Sequence, residues 1–144
     1  MTEEKKEIIE NADWFLQDFV NMVNGNEFGF GITLNVGGFL VSGQVVSGHK
    51  YFEGFANEFA KNFEDTELSE NVKKSYSKYG EIYTKEKEDK EDLPRPNYIH
   101  LENAKFYNTN GQPIPNNRGV WWRGRLSEVD GFLLGALSAE NAQQ

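Results

Sequence analysis

The chain has 144 residues, with 23 Asp plus Glu against 15 Lys plus Arg, and no cysteine. That length suits one domain with a real core, and 11 Phe, 6 Tyr and 3 Trp are available to fill it. Lack of cysteine excludes disulfides, thiolate metal sites and cysteine nucleophiles, and a net charge of −8 argues against a phosphate backbone as the main partner.

No stretch is apolar enough to span a bilayer. The longest, Phe132–Leu137, is broken by Gly135 and falls far short of the roughly 18 residues required. Met1–Glu10 carries charges of both signs and lacks the apolar region of a signal peptide. The expectation is a cytoplasmic protein without a membrane partner, forming a single domain over 1–144.

In chain order, Ile8, Ala12, Phe15, Phe19 and Val23 recur every three or four residues. They predict an N-terminal helix within 1–25, with Thr2 as its N-cap and Gly25 as its stop. Phe28, Phe30, Ile32, Leu34 and Val36 then alternate with small or polar residues, as in a strand with one buried face. Gly37-Gly38 predicts a tight hairpin turn, and Phe39–Ser47 the return strand, with a bulge or bend at Gly43. From Gly48 the helical period resumes, with Phe52, Phe55, Phe59 and Phe63 on one face beside Ala56 and Ala60. Leu68, Val72, Tyr76, Tyr79 and Tyr83 predict a further helix whose thin, tyrosine-rich face suits an edge or a partner.

Lys85–Asp92 is a run of eight charged residues that reads as a solvated helix extension or linker. It closes a highly charged helical insertion over 63–97, which Pro94 and Pro96 terminate. Tyr98–Tyr107 predicts a strand whose apolar face switches at Glu102-Asn103, the mark of a bulge. An Asn-, Gly- and Pro-rich loop follows over Asn108–Asn117. Gly119–Leu126 and Phe132–Leu137 complete five strands, with a turn at Asp130-Gly131. The fold class is α+β: an N-terminal helix, a strongly bent five-stranded antiparallel sheet or small SH3/Sm-like barrel, and a helical insertion between strands two and three.

Catalytic chemistry finds little support. Gly29 and Gly31 lack the third glycine of a dinucleotide fingerprint and lead into a strand, not a helix. His49 and His100 are the only histidines, too few for a zinc site without a converging carboxylate. No serine sits in a nucleophile elbow. The expectation is no catalytic residue, no cofactor and no metal. Arg118, Arg123 and Arg125 with Trp121 and Trp122 form the one notable cluster. Alternation places Trp121, Arg123 and Arg125 on one strand face, a candidate interaction surface, with Trp122 on the other. The plainer alternative pairs these arginines with Glu102 or Glu128 above a core tryptophan. Phe28–Val36 and Phe132–Leu137, both poor in charge, are candidate exposed edges for self-association.

Three blocks carry a family resemblance: ITLNVGGFLVSGQVVSGHKYF (Ile32–Phe52), YIHLENAKFY (Tyr98–Tyr107) and VWWRGRLSEVDGFLLGALS (Val120–Ser138). Together they resemble the GvpU family of gas vesicle accessory proteins. The resemblance implies a cytoplasmic, non-enzymatic protein that acts in vesicle assembly or clustering. Its implied partners are further copies of itself, as a homo-oligomer, and gas vesicle shell proteins; the net charge of −8 adds the expectation of no nucleic-acid partner. A weaker resemblance, through the Ser-Gly strand, Leu-Glu-Asn-Ala and Arg123-Gly124, is to Sm-like small barrels. It implies the alternative function, an Sm-like RNA-binding or other ring-forming interaction module.

Overall fold

The computed structural model describes residues 11–26, 28–83, 95–110, 112 and 118–137. Helix α1 runs over Trp14–Asn26 and begins at Asp13, whose carboxylate accepts from the Phe15 N–H at 2.9 Å. It buries Leu16, Val20 and Val23, while Phe15 is 56% exposed. The inner face is therefore offset from the predicted one. Leu16, Val20 and Val23 repeat at the same spacing, and contact with the sheet decides between the two stripes. Thr2 and Ile8 lie outside the described residues, and the helix continues through Gly25 to Asn26.

Strands β1 (Phe30–Val36) and β2 (Phe39–Val46) form the expected hairpin. Gly37 and Gly38 turn the chain at φ of 58° and 93°, conformations that favour glycine. Strands β3 (Tyr98–Tyr107), β4 (Val120–Arg125) and β5 (Gly131–Leu134) complete an antiparallel sheet in the order β4-β3-β2-β1-β5. Both predicted irregularities are present, with register shifts between Ser42 and Gln44 and between Leu101 and Ala104. A Cβ on Gly43 would lie 2.9 Å from the Glu102 carbonyl oxygen, and Asn103 takes a φ of 56°.

The sheet is open, which corrects the small-barrel alternative. β4 pairs with β3 and β5 with β1, and no ladder joins β4 to β5 among the described residues. The chain leaves β4 through a 3-10 turn at Leu126–Glu128, which ends the ladder before β5 begins. The Sm-like reading loses its structural footing with the barrel. β1 is also not an edge: β2 flanks it on one side and β5 on the other. β5, the other candidate edge, does lie at the end of the sheet.

The main core lies between α1 and one sheet face, where Leu16, Val20 and Val23 meet Ile32, Leu34, Val41, Val45, Ile99 and Leu101. The opposite face is covered in two parts. Over β3 and β4 lies α2 (Gly48–Ala60), capped by Ser47, whose hydroxyl accepts from the Lys50 N–H at 3.0 Å. Helix α3 (Thr66–Ser77), capped by Asp65, folds back on α2 and buries none of its own residues. Its predicted tyrosine face packs at this edge, with Tyr76 5.2 Å from Phe59 and 6.0 Å from Phe55 between ring centroids. A 3-10 segment at Lys78–Tyr83 follows, and the charged run 85–92 lies outside the described residues.

Over β1 and β2 the cover is the segment after β5. That strand stops at Leu134 because Gly135, at φ 112°, turns the chain across the sheet. The Leu137 N–H donates to Ser42 Oγ at 2.6 Å, Ser42 and Thr33 hydroxyls meet at 3.0 Å, and Thr33 donates to the Gly135 carbonyl at 2.7 Å. Both hydroxyl residues are buried, although simple alternation places them on an outer face.

Candidate interaction surface

The β3–β4 ladder pairs Tyr98 with Arg125, His100 with Arg123 and Leu101 with Trp122. Trp122 therefore shares the core face, where it packs against the main cluster. Trp121, Arg123 and Arg125 share the other face, as alternation predicts, but in three different settings.

Trp121 is half-buried. Its indole covers Gly54 of α2, so that a Cβ on Gly54 would overlap it, and it meets Tyr51 edge-on at 6.1 Å. It also borders an open cavity of about 490 Å³ together with Gln44, Glu58 and Glu102. These ring contacts are with α2 of the same chain.

Arg123 is held by several side chains. Its Nε donates to His100 Nε2 at 3.1 Å, and its guanidinium carbon sits 3.7 Å from the centre of the Tyr98 ring and 5.6 Å from that of Phe52. His100 is 1% exposed, with the Tyr51 ring 4.7 Å away and that of Tyr83 5.6 Å away. Burial, and secondarily the Arg123 charge, lower its pKa from 6.5 to about 3. The imidazole is thus neutral, and because Nε2 accepts, its proton is on Nδ1. Burial likewise raises the Tyr51 pKa, against an opposing pull from Arg123.

Arg125 is exposed and lines a smaller cavity of about 260 Å³ with Ala12, Asn97, Tyr98 and Ser127. The pairing with Glu102 or Glu128 is not made. Glu102 meets Lys50 of α2 at 3.0 Å, and no carboxylate among the described residues pairs with Arg118, Arg123 or Arg125. Sequence reasoning missed His100 and Tyr98 as the groups that hold Arg123. Tyr98-x-His100 and Arg123-x-Arg125 have matching periods, but only the ladder offset brings them opposite one another.

The remaining polar residues have structural placements. Asp130 accepts from the Gly37 N–H at 3.0 Å and so clips the start of β5 to the hairpin turn. His49 is 3.8 Å from Glu53 on its own helix. Among the described residues, no group of three or more His, Asp or Glu converges as a metal site. No helix of the described residues is long and apolar enough to cross a membrane.

Fold and surface together define an α+β protein organised around one open sheet, with one face of arginines and aromatic rings. The family model for gas vesicle protein GvpU-like proteins matches residues 13–137, and the chain belongs to that family. The match runs from the cap of α1 to the segment bound by Ser42, so α2 and α3 lie within the matched region. No curated protein and no solved structure matches the chain.

Proposed function

We propose that this protein is a non-enzymatic, cytoplasmic accessory factor that assists gas vesicle assembly or clustering by associating with copies of itself and with vesicle shell proteins. Family membership supplies the vesicle connection. The observation that carries association is the edge at β5. It is a bare strand edge among the described residues, and it is flanked by exposed Leu133 (57%), Leu134 (65%), Phe15 and Trp14 (63%). An aromatic series continues inward from it, with Phe15 6.0 Å from Phe132, Phe132 6.4 Å from Phe19, and Phe19 4.5 Å from Phe30. Unpaired strand edges beside apolar side chains favour pairing with another chain. The β4 face, with Arg123 and Arg125, is the second contact surface.

Sedimentation velocity at tens of micromolar tests the reading. Wild type sediments as an oligomer and floats with purified gas vesicles, whereas Leu133→Lys with Leu134→Lys weakens both with an unchanged far-UV spectrum. A wild type that is monomeric and fails to float with vesicles ends the proposal.

A further inference from the structure

We propose that Tyr98, Arg123 and Arg125 form a carboxylate-binding site that takes an extended acidic segment of a partner protein along the outer edge of β4. This deepens the reading of the β4 face and rests on it only for the partner being a protein.

Arg123 is already held in place. His100 engages its Nε, and Tyr98 backs its plane. Without another hydrogen-bond partner among the described residues, the two Nη groups form a fork of donors, the geometry that matches a carboxylate with two parallel hydrogen bonds. The buried, neutral His100 orients the guanidinium without adding a charge that repels it.

Arg125 lies two residues further along the same strand face, about 7 Å away by strand geometry. Acidic side chains at alternate positions of an extended chain have that same spacing. Among the described residues β4 is the last strand on its side of the sheet, so a segment added there by main-chain pairing would set its carboxylates directly opposite both arginines. The cavity beside Arg125, about 260 Å³ and bordered by Asn97 and Ser127, suits one side-chain carboxylate. It is smaller than the roughly 300–1,000 Å³ of most small-molecule sites. Charge balance points the same way. Arg118, Arg123 and Arg125 have no carboxylate partner among the described residues.

The test titrates the full chain with a labelled, end-blocked peptide of alternating Glu and Thr, and with the same peptide carrying Gln for Glu. Fluorescence anisotropy should show the Glu peptide binding about tenfold or more tightly than the Gln peptide, and less tightly at high salt. Arg123→Gln and Arg125→Gln should each lower affinity several-fold, and the double variant should abolish the preference with the fold intact by circular dichroism. Tyr98→Leu should weaken binding in the same direction. Equal binding of the two peptides, full affinity in the double variant, or displacement by inorganic phosphate at peptide-like concentrations would overturn the site. Peptide binding by a chain that sediments as a monomer would uphold the site and sink only self-association.

Discussion

Arg123 donates to His100 across the β3–β4 ladder at 3.1 Å, so a surface cation is bonded to an imidazole that is 1% exposed. The pair survives only while the imidazole is neutral, because protonation would remove the acceptor and set two positive charges against each other.

That relationship predicts a window of acid sensitivity. The His100 pKa falls from 6.5 to about 3 on folding, so between those values the unfolded chain binds a proton that the folded chain does not. Its contribution is complete above pH 6.5 and is lost as pH falls toward 3, at up to about 1.4 kcal/mol per pH unit. Urea midpoints measured across this range should fall with acid in wild type and fall less steeply in His100→Gln. Parallel slopes would refute the assignment.

The hydroxyl relay makes a second prediction. Thr33 donates to the Gly135 carbonyl, so Ser42 must donate to Thr33 while accepting from Leu137. Ser42→Ala leaves a buried Thr33 oxygen and the Leu137 N–H without this partner, at a cost of about 1–3 kcal/mol. Hydrogen exchange at the Leu137 amide should accelerate beyond what the global loss of stability explains. Unchanged protection there would mean that other contacts hold the segment.

Gly54 offers a steric test. A Cβ at this position would overlap the Trp121 indole, so Gly54→Ala must displace the ring or lift α2 from the sheet. The overpacking should cost about 1–3 kcal/mol. Fluorotryptophan NMR should show the Trp121 resonance shifting more than those of Trp14 and Trp122. A variant as stable as wild type with all three resonances unmoved would contradict the packing.

Asp130 should matter as a clip. Its carboxylate accepts from Gly37 and its own N–H donates to the Asn35 carbonyl at 2.8 Å, so one residue holds the β5 entry to the β1–β2 turn. Asp130→Ala removes only the side-chain bond, which is exposed, and should cost about 1 kcal/mol. Faster exchange at the Gly37 amide, with the other hairpin amides barely affected, is the signature to look for.

Much of the architecture was legible in residue order. Periods of two and of three to four placed α1, the β1–β2 hairpin, α2, α3 and the later strands, because each period depends on neighbours a few residues apart. Gly37-Gly38, Gly43 and Asn103 announced their turn and bulges because the backbone there needs a positive φ or a close approach. The grouping of Trp121, Arg123 and Arg125 on one strand face, opposite Trp122, follows from the same local rule.

What the order of residues left open was everything that depends on which distant segments meet. Phe15 and Leu16 begin equally regular stripes on α1, and only the sheet selects Leu16. Thr33 and Ser42 alternate as outward residues, yet a segment about a hundred residues away in the chain covers them. β5 pairs with β1 and so makes it an interior strand, and the ladder offset brings His100 beneath Arg123. Sequence by itself determined the elements and which residues share a strand or helix stripe, through interactions a few residues long. Tertiary structure alone decided strand order, the covered face and the held arginine, because burial and hydrogen-bond satisfaction are set by contacts between segments far apart in the chain.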